Sequence, residues 1–443
     1  MTGAPGRVVI CGAGIAGVSA AYHLAVERGV RDIVLVDDRA PLTLTSDKGT
    51  AAYRNWWPGP DDTMVRFMNR SIDWLERLAA ASGDAFALTR RGYVFLTADR
   101  DTAAAMAADA AAVSALGAGP LRHHPGPAPY APSAPQGFDP AATGADLVDD
   151  PAAIRRQFPF LAPDVVAMLH VRRAGWLDAR RLGDWLLDAA RARGTRLVRD
   201  RIVSVDTAGG RIRAVRLAAG GERAADTLVL AAGPQLGAAG ALLGLDLPVV
   251  NELHGKMSLR DALGIIPREA PLMIWNDPVT LPGLGPLPAG VHFRPRGGAD
   301  DPRLLVIWTW RDGDGAEGPD TLPAEPRFDP GDADILLRGL ARMVPGLAAY
   351  FDRPCDAPVD GGYYCKTPEN RPLIGPLPVA GAWVIGALSG YGVMASQAAA
   401  ELLSAHLTGA DLPDYAAAFH PARYDDPAFQ AAVAGWDSRA GQL

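Results

Sequence analysis

The sequence predicts a mixed α/β protein in which a two-part, Rossmann-like dinucleotide-binding domain is interleaved with an antiparallel β-sheet domain. Three observations support this prediction. A glycine-rich strand–helix–strand pattern fills residues 7–38, alternating strands fill residues 247–310, and a second glycine-containing strand–helix pattern follows near residue 390. With 443 residues, 49% of them hydrophobic, the chain is long enough for two packed domains.

The first pattern begins with Val8–Cys11, an apolar run typical of a strand buried on both faces. Gly12, Gly14 and Gly17 follow in G-x-G-x-x-G spacing and lead into an Ala-rich helix. These glycines allow a tight turn, close approach of a pyrophosphate, and close helix–strand packing, respectively. Asp37 ends the next buried strand, 20 residues after Gly17, where a carboxylate can bind ribose hydroxyls. The pattern predicts a dinucleotide site; the alternative is a βαβ unit that only packs.

Charge and cysteine content exclude several classes of protein. A net charge of −7 argues against nucleic acid and anionic membranes as partners. Three cysteines without a C-x-x-C motif do not form a disulfide framework. His123 and His124 have no further ligand at metal-site spacing, so we expect no metal. With no apolar run long enough for a leader or a membrane span, we expect a cytoplasmic protein.

Two loops stand out. Residues 43–57 combine hydroxyl, aromatic and basic side chains beside the predicted nucleotide site, and are either part of a functional site or a surface loop whose aromatics fill a gap. Residues 117–144 are dominated by Pro, Gly and Ala and have no periodicity. They predict a long loop without a packed element, either a lid or disordered.

The strand predicted over Leu247–Arg260 alternates, with Glu252, His254, Lys256 and Ser258 on one face. Half-buried strands of this kind form a sheet with one working face. His254 and Lys256 are therefore the best titratable candidates for catalysis, although a His and a Lys on the outer face of a sheet are also ordinary.

We predict that residues 1–90, 151–235 and 355–410 form the nucleotide-binding domain and that residues 91–150 and 236–354 form the sheet domain. A tail, 411–443, is expected to pack on the body through its aromatic side chains.

Five motifs together resemble the flavin-dependent amine oxidoreductases of the D-amino-acid oxidase, glycine oxidase and sarcosine oxidase superfamily, from Arg7 to about Gly409. They are GAGIAG with Asp37, AGWLDARRL, LVLAAGP, TPENRPLIG and GALSGYGV. The resemblance implies extended FAD, with its adenine end on the first glycines and its flavin ring between the Ser46–Arg54 loop and the Ser389–Val393 helix start. The implied cofactor-binding residues are Gly12, Gly14, Ile15, Ala16, Gly17, Asp37, Asp38, Ser46, Lys48, Thr50, Val203, Ala232, Gly233, Gly390, Tyr391, Gly392, Val393 and Met394.

The resemblance also implies substrate-side residues. Arg54 falls where sarcosine oxidases clamp a substrate carboxylate, and Tyr364 falls on their substrate-side tyrosine. Tyr53, Trp56, Trp308 and Tyr391 are candidates for an aromatic substrate wall, or else they belong to the core.

Three departures from the sarcosine oxidase pattern affect the prediction. Gly362 replaces the cysteine that links covalently to flavin, which predicts non-covalent FAD and leaves Cys365 as a packed thiol or, less simply, an attachment point. Met394 replaces the second cation of the carboxylate clamp. The lysine implied to activate oxygen is absent from residues 304–310.

The predicted function is FAD-dependent oxidation of a C–N bond in a small amine or amino-acid derivative, with a secondary or cyclic amine favoured, and with oxygen or an electron carrier as the acceptor. One alternative is a flavin dehydrogenase of a 2-hydroxy acid or other alcohol. Another is an FAD-bearing subunit of a hetero-oligomer. The sequence does not indicate an oligomeric state.

Overall fold

The structure, a computed structural model, describes residues 6–126, 130–134, 137, 139–297, 301–310, 326–353 and 355–436. Strands and helices are numbered below in chain order. The mixed α/β class predicted from the sequence is confirmed, with two large sheets and helices packed on both.

The first large sheet has six strands and follows the nucleotide-binding pattern. Its strands, from one edge to the other, are β21 (Leu373–Pro376), β22 (Ala382–Gly386), β13 (Thr227–Leu230), β1 (Val8–Cys11), β2 (Ile33–Asp37) and β9 (Arg196–Arg199). Neighbours pair in parallel except β21 and β22, which are antiparallel. Parallel strands need cover on both faces, which explains the continuous apolar runs of β1 and β2.

The second large sheet has nine strands. In sheet order they are β20 (Val359–Lys366), β14 (Val250–Arg260), β19 (Arg303–Ile307), β18 (His292–Pro295), β15 (Leu272–Trp275), β4 (Tyr93–Thr97), β7 (Ala167–Val171), β6 (Ala145–Val148) and β5 (Leu121–His124). Most neighbours are antiparallel, as predicted, but β4 with β15 and β5 with β6 are parallel.

The helices cover these sheets. Their bounds are α1 (Ile15–Tyr22), continued by a π turn over His23–Glu27, α2 (Thr63–Ser82), α3 (Arg100–Val113), α4 (Pro151–Gln157), α5 (Ala179–Ala192), α6 (Leu236–Ala241), α7 (Asp332–Met343), α8 (Gly392–Thr408) and α9 (Pro427–Val433). Smaller pairings join β3 (Ala52–Arg54) with β8 (Ala174–Trp176), β10 (Ile202–Ala208) with β11 (Arg211–Leu217) and β12 (Glu222–Ala224), and β16 (Val279–Leu281) with β17 (Gly285–Leu287). Among the helices described, none has both the length and the apolar character required to cross a membrane.

Two sequence-based boundaries need correction. The prediction that residues 117–144 contain no packed element is wrong, because β5 pairs with β6. The sequence of β5, LRHH, lacks an apolar face. This strand forms the edge of the sheet, where polar side chains are tolerated. Strands β7 and β20 belong to the second sheet, although residues 151–235 and 355–410 were assigned to the nucleotide-binding domain.

The described part of the C-terminal tail packs on the body. Phe419 is fully buried, and Arg423 forms a buried ion pair with Glu369, with Nη2 and Oε1 2.6 Å apart. Tyr424 donates a hydrogen bond to the same carboxylate. Residues 437–443 of the predicted tail lie outside the described residues.

Candidate active site

The glycine turn between β1 and α1 brings three backbone segments into contact. Gly12 has φ +110°, and a Cβ on it would lie 2.5 Å from the carbonyl oxygen of Ala231. A Cβ on Gly17 would lie 1.9 Å from the carbonyl oxygen of Gly12. Gly14 offers no side-chain cap at the start of α1, so the first turn, apart from the Ile15 N–H that donates to Ser46 Oγ, presents backbone N–H groups and the positive end of the helix dipole. This geometry suits a phosphate group.

Asp37 stands at the carboxyl end of β2, beside this turn. Its Oδ2 accepts a hydrogen bond from the Ala13 N–H at 2.7 Å, and its Oδ1 accepts one from the Arg39 N–H at 2.8 Å. The carboxylate therefore fixes the turn and the loop after β2 in one position, and it lines the adjoining cavity.

Three cavities follow one another through the molecule. The nucleotide groove, about 1220 Å³, is lined by residues that include Asp37, Asp38, Lys48 and Val203. The central channel, about 140 Å³, shares Gly12, Asp37 and Ala232 with it and continues to the start of α8. The basic chamber, about 1120 Å³, shares Ser46, Gly49 and Ala51 with the channel and is bounded by strands of the second sheet.

The central channel collects most of the residues expected to contact the cofactor. It is lined by Gly12, Gly14, Ile15, Ala16, Asp37, Ser46, Ala232, Gly233, Gly390, Gly392 and Val393. The Ser46 Oγ accepts a hydrogen bond from the Ile15 N–H at 3.0 Å, which ties the loop over residues 43–50 to the start of α1. Gly17, Thr50, Tyr391 and Met394 do not line any of the three cavities.

The start of α8 forms the far wall of the channel. No side chain caps this helix, and the buried hydroxyl of Ser389 finds no hydrogen-bond partner among the described residues. A Cβ on Gly390 would lie 2.5 Å from the ring of Tyr364, so only glycine lets this turn approach β20 so closely. The wall thus offers open backbone groups and an unsatisfied hydroxyl to a polar ligand.

Tyr364 and His254 form a stacked pair beside the channel, with ring centroids 4.0 Å apart and planes inclined by 16°. Tyr364 lines the channel, and burial raises its pKa to about 12, so it is a neutral phenol. The His254 Nδ1 lies 3.0 Å from Oγ1 of Thr309, and its Nε2 lies 3.5 Å from a Glu252 oxygen. Burial lowers the pKa of His254, which favours neutral imidazole.

Lys256 lines the basic chamber. Its Nζ donates a hydrogen bond to the carbonyl oxygen of Asp47 at 3.0 Å and lies 3.2 Å from a carboxylate oxygen of Asp360. Burial lowers the pKa of the Lys256 ammonium, and the nearby Asp360 carboxylate opposes that shift. Both faces of β14 are buried here, so His254 and Lys256 do not lie on an outer face of the sheet.

Arg54 is buried away from the three cavities. Its Nε donates to the carbonyl oxygen of Trp56 at 3.1 Å, and its guanidinium lies 5.1 Å and 5.4 Å from the ring centroids of Trp57 and Tyr93. Burial lowers the pKa of this guanidinium. Its contacts brace the segment that follows β3.

The four candidates for an aromatic wall are also placed apart from the cavities. Tyr53 and Trp56 are buried, with the Tyr53 hydroxyl bonded to the carbonyl oxygen of Thr89. Tyr391 donates to the carbonyl oxygen of Asn370. Trp308 is in the core beneath the second sheet, where it packs on α7 and donates to the carbonyl oxygen of Pro288 at 2.9 Å.

Sequence reasoning missed Trp176 and Arg294, which line the basic chamber. Arg294 belongs to β18, whose four residues are all buried, and its guanidinium lies 5.5 Å from the Trp176 ring centroid. An arginine inside a short strand of otherwise buried residues was the available signal, since arginine is rarely buried without a partner.

The fold and this site define a flavoprotein oxidoreductase. A model of the DAO family, FAD dependent oxidoreductase, matches residues 7–406. The chain belongs to this family of FAD-dependent enzymes.

Solved structures agree on the fold. L-proline dehydrogenase from P. horikoshii is 17% identical with a TM-score of 0.73, covering 96% of this chain and 98% of that one. Glycine oxidase from Geobacillus kaustophilus is 16% identical with a TM-score of 0.72, covering 94% and 98%. Iminodiacetate oxidase from Chelativorans sp. BNC1 is 24% identical with a TM-score of 0.69, covering 92% and 96%. No curated protein sequence matches the chain.

The residues present fit FAD. The turn at Gly12–Gly17 and the uncapped start of α1 suit its pyrophosphate, and the uncapped start of α8 with the unsatisfied Ser389 hydroxyl suits a polar edge of its ring. Cys365 also lines the channel, where burial raises its thiol pKa to about 12 and so disfavours the reactive thiolate.

Proposed function

We propose that this protein oxidises the C–N bond of a small amine or amino-acid derivative to an imine, with a secondary or cyclic amine favoured. The observation that supports this most is that Ser46, Gly49 and Ala51 line both the channel suited to the flavin and a chamber large enough for a substrate. The structural relatives, which include a proline dehydrogenase and an iminodiacetate oxidase, are consistent with this class of substrate.

In the proposed reaction, the C–H bond next to nitrogen breaks and the nitrogen lone pair forms the C=N bond. Bound FAD supplies the acceptor for the hydride. The N–H proton leaves to a protein group or to water. The protein must therefore orient the substrate, exclude water and keep the amine neutral.

We propose Lys256 as the group that accepts the amine proton, because it lines the chamber and burial favours its neutral form. Tyr364, a neutral phenol between the channel and His254, would position the substrate, and His254 would fix the orientation of that ring. Arg54 acts in this proposal as a positioning residue for the loop after β3, since its guanidinium contacts Trp56, Trp57 and Tyr93.

The alternative reaction, oxidation of a 2-hydroxy acid, requires a base that removes a hydroxyl proton. His254 is the obvious base, but both of its ring nitrogens lie beside other side chains, Thr309 and Glu252. His254 also lines none of the three cavities, so the arrangement counts against His254 as the base of an alcohol oxidation.

Product analysis tests the proposal. FAD-loaded protein is incubated with N-alkyl amino acids, cyclic amines and 2-hydroxy acids, with either oxygen or a two-electron redox dye as the acceptor. Amine oxidation predicts a carbonyl compound or cyclic imine in a 1:1 ratio to acceptor consumed, and consumption of oxygen or dye identifies the acceptor class. Turnover restricted to hydroxy acids would replace the proposal with the alternative.

A further inference from the structure

Arg294 is a buried guanidinium that faces the basic chamber without a carboxylate partner. It is 6% exposed, its Nε donates to the carbonyl oxygen of Thr50, and its Nη1 donates to the carbonyl oxygen of Pro295 at 2.9 Å. Among the described residues, no carboxylate oxygen lies within 4.0 Å of it. Its positive charge is in contact with two neutral carbonyl oxygens and with the face of the Trp176 ring.

Arg268, whose side chain is partly buried, lies at the neighbouring edge of the chamber. Its Nη1 donates to the carbonyl oxygen of Arg303 at 2.8 Å and its Nη2 to that of Arg296, whereas its buried Nε has no partner in the part of the chain that the structure describes. No carboxylate there lies within ion-pair distance of it. Arg268 thus contacts the backbone of Arg296, which is two residues after Arg294. Both the Arg268 and the Arg294 guanidinium therefore lie near the end of β18.

Four other arginines that line the chamber form ion pairs within the protein. These pairs are Arg180 with Asp184, Arg181 with Asp178, Arg296 with Asp301, and Arg303 with Asp356, whereas Arg91 donates a hydrogen bond to the carbonyl oxygen of Arg268. A buried charge that lacks such a partner is strongly disfavoured. Arg294 is such a charge, and together with the partly buried Arg268 it indicates an anionic occupant of the chamber, because binding an anion compensates both charges.

We propose that the basic chamber binds an amine that carries two acidic groups, with Arg294 and Arg268 each holding one of them. The inference rests on the proposed C–N oxidation and specifies its substrate class. A guanidinium donates two parallel hydrogen bonds to a carboxylate or to a phosphate. The proposed substrate class is therefore an amino acid with a second acidic group, of either kind, on the side chain or on nitrogen.

The proposed substrate class can be tested by binding alone, with ligands that the enzyme cannot oxidise. Butyrate, glutarate and 4-phosphonobutyrate have similar chains and no amine, and their binding to FAD-loaded protein is measured by calorimetry. We expect glutarate or 4-phosphonobutyrate to bind at least about tenfold more tightly than butyrate, since one additional charge-assisted pair is worth at least that factor. The tighter of the two dianions shows whether the second group is a carboxylate or a phosphate.

Two variants and a matched control locate the effect. Arg294→Gln and Arg268→Gln should each reduce the preference for the dianion to about twofold or less. Arg180→Gln removes a paired cation from the same chamber and should retain the preference. If Arg294→Gln does not fold, the dianion preference of Arg268→Gln tests the proposal instead. The Arg268 side chain is only partly buried, so its replacement should disturb folding less.

Equal affinity for butyrate and both dianions in the unmodified protein would overturn the inference, as would an equal loss in Arg180→Gln. The experiments distinguish failure of the proposed C–N oxidation from failure of the proposed substrate class. Dianion preference without amine oxidation removes the proposed function alone, and amine oxidation without dianion preference removes only the substrate class.

Discussion

Arg294 illustrates how a single buried charge can specify a ligand. Burial lowers the pKa of this guanidinium to about 9; Tyr93 and Asp178 oppose that shift, and Arg296 and Arg91 add to it. A group with a lowered pKa is charged below that pKa and loses its proton as pH rises through it. We therefore predict that binding of glutarate to FAD-loaded protein weakens as pH rises through about 9.

Arg294→Lys provides the comparison for that titration. A lysine retains a positive charge but not the bidentate fork, so its pH profile should differ from that of the unmodified protein. Glutarate affinity that stays constant from pH 7 to about 10 would contradict the lowered pKa of Arg294.

Lys256 is the residue on which proton removal depends in the proposed reaction. Lys256→Gln should reduce the rate of flavin reduction by about 100-fold, because general base catalysis contributes roughly 10²–10⁴-fold. The loss should shrink as pH rises and the free amine becomes abundant. Rapid mixing under anaerobic conditions measures the rate directly.

Ser258→Ala is the matched control for that variant, since Ser258 lines the chamber two residues further along the same face of β14. Its rate should stay within about twofold of the unmodified protein. Equal rates for Lys256→Gln and the control would remove Lys256 from the mechanism.

At the scale of secondary structure elements, the crossing of β1, α1 and β13 depends on glycine. Gly17→Ala would place a Cβ 1.9 Å from the carbonyl oxygen of Gly12, so the turn must open. We predict that this variant purifies with less than about a tenth of the FAD of the unmodified protein, measured by visible absorbance per chain. Gly331→Ala is a control for glycine replacement itself, because a Cβ there meets no atom within 4 Å.

The tail depends on one buried ion pair. Arg423→Gln leaves the Glu369 carboxylate buried without its cation, which should lower the free energy of unfolding by about 3 kcal/mol. Arg66→Gln removes an exposed pair with Asp414 of the same tail and should cost less than about 1 kcal/mol. Denaturant unfolding of both variants checks the contrast, and equal losses would contradict it.

The sequence predicted elements whose patterns are set locally. The G-x-G-x-x-G turn, β2 ending on Asp37, and the start of α8 were all located from spacing and apolar runs. Side-chain direction was harder to predict, because it depends on tertiary packing. Trp308 was a candidate for the substrate wall, yet it follows the end of β19 and packs on α7.

The same limit explains Arg294 and β5. Nothing in the local sequence shows that Arg294 has no carboxylate opposite it, because its neighbours Thr50 and Trp176 come from distant segments. Strand β5 has no apolar periodicity, and its pairing with β6 is a property of the sheet edge. Both features become visible only when distant parts of the chain are placed together.

At the scale of the whole molecule, the nucleotide groove, central channel and basic chamber are neighbours that share lining residues, and they lead from the first sheet to the second. We propose that FAD lies along it without a covalent bond, since Gly362 cannot attach to flavin and burial keeps Cys365 protonated. Acid precipitation should release all of the yellow colour into the supernatant, and Cys365→Ser should behave identically. Colour retained in the protein pellet would indicate attachment.

The most direct test of the central claim is the visible spectrum of the FAD-loaded protein under anaerobic conditions while an N-substituted amino acid is added. Amine oxidation predicts that the flavin bleaches with one equivalent of substrate and that an imine or its carbonyl hydrolysis product appears in equal amount. A spectrum that every amine leaves unchanged, while a 2-hydroxy acid bleaches it, would contradict the claim.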